Sequence, residues 1–173
     1  MLPNLVLVLG GAASGKSAFA EKIIVDSGLD RIYIATSQIW DDEMADKVEA
    51  HRLSRGQGWT TIETPMAVDE ALHRCPAGAA VLIDCATMWL SNLMLTDNDV
   101  AAAEQALFAA LAVAPGPVVM VSNELGQGIV PENPLARAFR QAHGRLNQRL
   151  AAAADLVVLV TAGLPMALKG QLP

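Results

Sequence analysis

Residues 10–17 read Gly-Gly-Ala-Ala-Ser-Gly-Lys-Ser, and they complete the pattern G-x-x-x-x-G-K-[ST] directly after the apolar run Leu5–Leu9. A strand that leads into a glycine-rich turn lets backbone N–H groups converge on phosphate oxygens, and a following helix points its positive end at them. Lys16 would then neutralise the β- and γ-phosphates, and Ser17 would hold magnesium. The alternative is an ordinary glycine-rich turn, but the flanking strand and helix patterns favour a triphosphate-binding loop.

Polar residues also end two later apolar runs. The run Ala80–Asp84 ends in a carboxylate, and a phosphate-loop enzyme needs such a group near its magnesium ion. Aspartates at strand ends also start turns, so the metal role of Asp84 depends on its strand lying near the first one. The run Arg31–Ala35 precedes Thr36 and Ser37, which could meet a nucleotide or cap the next helix. Spacing alone slightly favours capping.

A histidine between basic residues is the most unusual feature of the chain. His51 lies at helical spacing from two apolar residues, which is typical of a packed helix histidine. Arg52 and Arg55 would raise the local positive potential and disfavour a protonated ring. A neutral imidazole beside arginines that hold phosphate is a nucleophile toward phosphorus. Further along, Glu63 could accept hydrogen bonds from a base or ribose, or be a solvated loop residue.

The segment 122–133 contains two glycines and several amide side chains after an apolar run, which suits a substrate loop or a solvated loop. In the helix that follows, Arg137 and Arg140 lie three residues apart on one face. That spacing suits a phosphate or surface ion pairs.

Apolar runs rich in β-branched residues alternate with helical patterns along most of the chain. This alternation predicts an α/β fold in which a parallel sheet is covered by helices on both faces. Ligands of such sheets bind at the carboxyl ends of the strands. The predicted strands are Leu5–Leu9, Arg31–Ala35, Ala79–Asp84, Pro117–Ser122 and Leu156–Thr161. The predicted helices are Lys16–Ser27, Asp41–Ser54, Met66–Arg74, Ala86–Leu95, Val100–Val113 and Pro134–Ala154.

Length and composition limit the class of protein. A chain of 173 residues predicts one domain, spanning 1–173. The net charge of -6 argues against a nucleic-acid partner. Cys75 and Cys85 have no metal-ligand spacing, so we expect reduced thiols and a cytoplasmic location. The apolar stretch 150–168 is interrupted at Asp155 and broken at Gly163, which predicts a buried strand rather than a membrane span.

Taken together, these motifs resemble the bifunctional adenosylcobinamide kinase/adenosylcobinamide-phosphate guanylyltransferase family of cobalamin biosynthesis. The resemblance covers nearly the whole chain. Departures from the family pattern are Ala13, where arginine is frequent, and Gln141, where aspartate is usual. The segments that carry it are GGAASGKS, YIATSQIWDDEM, 51–63, SNELGQGIVPEN and 139–155.

The resemblance implies a P-loop NTPase-type three-layer fold and a homotrimer. It implies phosphorylation of adenosylcobinamide with ATP or GTP, in which Lys16 is catalytic and Mg²⁺ is held by Ser17 and Asp84. It then implies that His51 takes GMP from GTP and passes it on, giving adenosylcobinamide-GDP. The nucleotide-binding residues carried over are Gly10, Gly11, Ala12, Ala13, Ser14, Gly15, Lys16, Ser17, Ala35, Thr36, Ser37, Arg52, Leu53, Ser54, Arg55, Glu63 and Asp84.

Two other functions stay open at this point. One is a single-activity kinase of a small metabolite, with the phosphate loop intact and His51 merely packed. The other is a non-enzymatic GTP switch, which is disfavoured because the chain contains no Asn-Lys-x-Asp guanine signature.

Overall fold

The computed structural model describes residues 2–38, 55–96 and 98–173. Within these ranges one sheet contains seven strands, and five helices connect or flank them. The strands are β1 (Leu5–Gly10), β2 (Arg31–Ala35), β3 (Trp59–Glu63), β4 (Ala80–Asp84), β5 (Val118–Asn123), β6 (Leu156–Thr161) and β7 (Leu164–Lys169). The helices are α1 (Lys16–Ser27), α2 (Val68–His73), α3 (Ala86–Leu95), α4 (Val100–Ala112) and α5 (Pro134–Ala153).

The strands lie in the order β3-β2-β4-β5-β1-β6-β7, and every neighbouring pair except β6–β7 is parallel. All six residues of β1 are buried, which explains its uninterrupted run of leucine and valine. The five strands expected from apolar runs are confirmed. The metal role of Asp84 required β4 to lie near β1, and the structure places β5 between the two.

Successive side chains of each central strand point to opposite faces of the sheet and pack into two apolar layers. On one face, Ile23 and Ile24 of α1 pack with Val8 and Val121. On the other face, α2 to α5 bury a second cluster. Its members include Leu7, Leu72, Leu90, Leu107, Leu146 and Leu150. The predicted three-layer arrangement, with helices on both faces of a mostly parallel sheet, is confirmed.

Two strands were not expected from the sequence, and both lie at sheet edges. β3 lies between the predicted elements, and its residues are exposed or only partly buried. β7 is equally exposed, and it pairs with β6 through a two-residue turn in which Ala162 and Gly163 have φ of 53° and 77°. Such left-handed pairs are typical of tight hairpins. The helix expected over 41–54 lies outside the described residues.

None of the helices in the described ranges has the length and hydropathy needed to cross a bilayer. The apolar stretch 150–168 instead contains the end of α5, strand β6 and most of β7.

Candidate active site

The phosphate loop, residues 10–17, turns the chain from β1 into α1. Ala13 and Gly15 have φ of 53° and 92°, values that curl the backbone in the way an anion-binding loop requires. The carbonyl of Gly15 accepts the first helical hydrogen bond from the N–H of Phe19, at 3.0 Å. The N–H groups at the start of α1 therefore face the concave side of the loop.

One hydrogen bond and one close backbone approach connect the phosphate loop to β6 and the hairpin that follows it. The N–H of Gly163 donates to the carbonyl of Ser14 at 2.8 Å. A Cβ atom at Gly10 would lie 2.7 Å from the carbonyl oxygen of Val160 and 2.3 Å from the Ser14 hydroxyl, so this position requires glycine. The hairpin missed in the sequence therefore supports the loop.

Lys16 and Ser17 form the first turn of α1, and both side chains are partly exposed. The ammonium group of Lys16 donates to the carbonyl of Gly11 at 3.1 Å, which places its charge across the mouth of the loop. A lysine in that position can reach the outer phosphates of a bound nucleotide.

The sheet register brings three predicted site residues into one row. Ala35 at the end of β2 pairs with Glu63 on one side and with Asp84 on the other. Next along the edge, Asn123 at the end of β5 pairs with Gly10 of the phosphate loop. The carboxyl ends of five strands thus meet beside the loop, as expected for ligand sites of parallel sheets.

Thr36 is fully buried, and its hydroxyl is used within the protein. It accepts a hydrogen bond from the N–H of Cys85 at 2.7 Å and donates to the carbonyl of the same residue at 2.8 Å. The carbonyl of Thr36 accepts from the amide of Asn92 at 2.7 Å. The side chain therefore joins β2 to β4, which leaves the partly exposed Ser37 as the accessible hydroxyl of this turn.

A cluster of ionisable groups lies beside Asp84 on the α1 side of the sheet. The guanidinium carbon of Arg55 lies 3.4 Å from the centre of the Tyr33 ring. Burial raises the pKa of Glu21 to about 7, although Arg55 opposes the shift and the charge of Asp84 adds to it. Burial and then the charge of Asp84 also raise the pKa of Tyr33.

The inference from sequence included Arg55 and Asp84 in the site but not Glu21. Its Oε1 atom is buried and has no hydrogen-bond partner among the residues that the structure describes. The available signal was its position one helical turn after Ser17, on the same face of α1. Without knowledge of burial, that spacing does not distinguish it from a solvated glutamate.

Four buried polar side chains below the end of β5 form what we call the β5 network: Thr87, Ser122, His143 and Asn147. His143 Nε2 lies 3.0 Å from the Thr87 hydroxyl and 3.1 Å from the Ser122 hydroxyl. Ser122 donates to Asn147 Oδ1 at 2.7 Å. Burial lowers the pKa of His143, with a smaller opposing effect of Glu124, which favours the neutral ring.

Two of the four arginines of α5, Arg137 and Arg140, hold the segment 122–133. Arg137 donates to the carbonyls of Pro131 and Glu132, and Arg140 donates to those of Gly126 and Ile129. The sequence left open a phosphate contact or surface ion pairs. The structure uses both guanidinium groups to hold this loop against the helix, and the phosphate contact stays a prediction.

His51, Arg52, Leu53 and Ser54 lie outside the described residues. Their assignment as nucleophile and nucleotide ligands stays a prediction. Arg55, the first described residue after them, lies beside Tyr33 and Asp84.

Solved structures with a similar fold identify the fold class of this chain. The flagellar accessory protein FlaH from Methanocaldococcus jannaschii aligns with 98% of this chain and 80% of its own, at a TM-score of 0.53 and 11% identity. A RadB recombinase aligns with 91% of this chain and 74% of its own, at a TM-score of 0.52 and 18% identity. The fold is that of the P-loop NTPases.

Sequence comparison narrows the class to a family. Residues 6–168 match the model of the cobinamide kinase / cobinamide phosphate guanyltransferase family. The bifunctional adenosylcobalamin biosynthesis protein CobP of Pseudomonas aeruginosa is 42% identical, covering 95% of this chain and 97% of the relative. The corresponding protein CobU of Escherichia coli K12 is 45% identical, covering 95% and 99%. The chain belongs to this family, and the resemblance seen in its motifs is confirmed.

Proposed function

We propose that this protein phosphorylates adenosylcobinamide and then transfers GMP from GTP to the product, giving adenosylcobinamide-GDP. The observation that carries the proposal is the family match over residues 6–168, which includes the phosphate loop, the strand ends beside it and the loop at 122–133. One site with a phosphate-binding loop can use a nucleoside triphosphate in both reactions.

In the kinase step, the hydroxyl oxygen of the substrate bonds to the γ-phosphorus while the bond to the β–γ bridging oxygen breaks. The nucleoside diphosphate leaves with that electron pair, and the hydroxyl proton passes to solvent. Because the charge moves onto phosphate oxygens, the protein contributes mainly positioning and electrostatic stabilisation. The N–H groups of the phosphate loop and the ammonium group of Lys16 supply both.

Ser17 and Asp84 offer the hydroxyl and carboxylate oxygens that Mg²⁺ prefers, and a triphosphate completes such a site with its own oxygens. Glu21, whose Oε1 atom is buried without a hydrogen-bond partner in the described part of the chain, adds a further carboxyl group near Asp84. When bound, the ion would offset the negative charge on the phosphates. Its proposed ligands are Ser17 and Asp84.

In the second reaction, a ring nitrogen of His51 bonds to the α-phosphorus of GTP and pyrophosphate leaves. A phosphate oxygen of the phosphorylated cobinamide then bonds to the same phosphorus, and the His51 nitrogen leaves with the electron pair of the phosphoramidate bond. Splitting the transfer lets one site use two acceptors in turn. Both Arg52 and Arg55 would stabilise the phosphates, and Glu63 would accept hydrogen bonds from the base or ribose.

The proposals for oligomeric state, partners and location rest on the same family. We propose a homotrimer with small-molecule partners, the two corrinoid substrates and ATP or GTP. The net charge of -6 does not suit a nucleic-acid partner. Cys75 and Cys85 are free thiols, and together with the nucleotide substrates they suit a cytoplasmic enzyme.

Incubation with GTP labelled at the α-phosphate tests the proposal. We expect a protein adduct that is labile in acid and stable in alkali, and that is discharged by phosphorylated cobinamide. His51→Ala should remove the adduct and the GMP transfer while much of the kinase activity remains. His73→Ala, at an exposed position on α2, is the matched control. Protein that phosphorylates cobinamide without ever forming an adduct would instead be a single-activity kinase.

A further inference from the structure

On the side that faces β4, the end of β5 is held by side chains, while on the other side it still pairs with β1. The pairing of β4 with β5 stops at Asp84 and Val121, two residues before Asn123. In place of β4, the Thr87 hydroxyl accepts a hydrogen bond from the N–H of Asn123 at 2.8 Å. The amide of Asn147 donates to its carbonyl at 3.0 Å. Both backbone groups of this one residue are therefore fixed by the β5 network.

Strand alternation determines which way Asn123 faces. Val119 and Val121 belong to the apolar cluster on the α1 side, so the side chain two residues further along lies on that side as well. Ser122 points to the opposite side, where it meets the β5 network. Asn123 thus lies on the same face as the phosphate loop and α1.

Its position along the sheet edge is equally specific. Asn123 pairs with Gly10, the first residue of the phosphate loop, and β4 with Asp84 lies on the other side of β5. The residue is half-buried, and the bonds to Thr87 and Asn147 use its backbone. Its side-chain amide can therefore donate into the space between the loop and Asp84.

We propose that Asn123 contacts the terminal phosphoryl group of the nucleoside triphosphate, and that Thr87 and Asn147 are positioning residues that fix its backbone. This inference rests on the proposed function for its kinase readout. The amide N–H would donate to an oxygen of the transferring phosphoryl group, adding a neutral donor to the charge of Lys16.

The donors and acceptors of the β5 network determine the role of His143. Asn147 donates to the carbonyl of Asn123, which turns its Oδ1 toward Ser122 and makes Ser122 the donor in that pair. The Ser122 oxygen can then only accept from the histidine, so we assign the ring proton to Nε2, where the Thr87 oxygen at 3.0 Å also accepts from it. His143 thereby orients the hydroxyl that orients Asn147.

Substitution of Asn123 tests the contact directly. With Asn123→Ala we expect kcat for phosphate transfer from GTP to adenosylcobinamide to fall by about 10- to 100-fold. Calorimetric titration should give a preference for GTP over GDP that is about tenfold smaller than in the wild type, because the lost hydrogen bond is to the terminal phosphate. Gln105→Ala, at an exposed position on α4, is the control. If Asn123→Ala keeps both values within about twofold, the contact does not exist.

The positioning role needs its own variants. Thr87→Val and Asn147→Leu should lower kcat and the GTP-over-GDP preference in the same direction as Asn123→Ala and by no more, and Thr87→Ser should restore most of the loss. Adding Thr87→Val to Asn123→Ala should lower kcat little further, since both substitutions act through the side-chain amide of Asn123. Variants that lose thermal stability but keep kcat would show that the network is purely structural.

The two proposals fail in different ways. Wild-type protein that binds GTP but phosphorylates no cobinamide refutes the proposed function. The GTP-over-GDP preference of Asn123→Ala still decides the phosphate contact in that case, because it needs no corrinoid. Wild-type activity that Asn123→Ala retains refutes the contact alone.

Discussion

Thr36 and Cys85 are joined by a pair of hydrogen bonds in which one hydroxyl accepts from the N–H and donates to the carbonyl of the same residue, at 2.7 and 2.8 Å. The pair lies one residue beyond the row formed by Ala35 and Asp84. Since neither strand continues past this point, the hydroxyl fixes how the two strand ends lie relative to each other. The position of Asp84 in the site therefore depends in part on the side chain of the residue that follows β2.

Thr36→Val removes this hydroxyl and keeps the shape of the side chain. Both backbone groups of Cys85 would lose a buried partner, so we expect the free energy of unfolding to fall by about 2 kcal/mol. Thr36→Ser should keep most of the stability, and Thr60→Val, at an exposed position on β3, should change little. Urea unfolding of the four proteins measures this. Equal midpoints for the valine and serine variants at position 36 would contradict the interpretation.

The central strands could be predicted because they are buried on both faces and must be apolar throughout. Arg31–Ala35 and Leu156–Thr161 were located to the residue for this reason. β3 could not be, since Trp59 and Ile62 are its only half-buried residues and the other three are exposed. An edge strand pairs through its backbone, and that pairing leaves a weak sequence pattern.

The residues of the candidate site also differ in whether the sequence alone reveals them. The phosphate loop carries its chemistry within eight consecutive residues, so its pattern is visible in the sequence. The β5 network brings together Thr87, Ser122 and Asn147 from two helices and a strand, and no local spacing relates them. The raised pKa of Glu21 similarly arises from burial against the sheet, which only the tertiary structure reveals.

Lys16→Ala should weaken triphosphate binding and suppress both transfer reactions. The ammonium group lies across the mouth of the phosphate loop, and loss of a charge there removes several kcal/mol of transition-state stabilisation. Lys22→Ala removes the same charge one turn and a half along α1, where the side chain is exposed and pairs with Asp26. GTP titration and turnover of both variants separate the effect of the loop from that of net charge. Unchanged turnover in Lys16→Ala would count against the assigned site.

Glu21→Gln should stabilise the protein at pH 8. The folded state holds the proton of Glu21 up to a pKa of about 7, whereas the unfolded chain releases it near 4.5, so this residue lowers stability as pH rises between those values. Partial exposure reduces the cost, and we expect the variant to raise the Tm by about 3 °C at pH 8 and by less at pH 5. Glu70→Gln, on the exposed side of α2, is the control. The same Tm difference at both pH values would exclude titration of Glu21 as the cause.

His143→Gln tests the buried neutral histidine of the β5 network. Burial lowers the pKa of His143 in the folded state, so below about pH 6.5 the unfolded chain takes up a proton that the folded protein excludes. The free energy of unfolding of the wild type should therefore fall as pH decreases from 7 to 5.5, with Glu124 moderating the loss. Glutamine retains an N–H donor without titrating, so its curve should be flatter; His73→Gln, at an exposed position on α2, is the control. Urea unfolding at pH 5.5, 6.5 and 7.5 measures the three slopes, and parallel curves for wild type and His143→Gln would mean that this ring does not titrate between the two states.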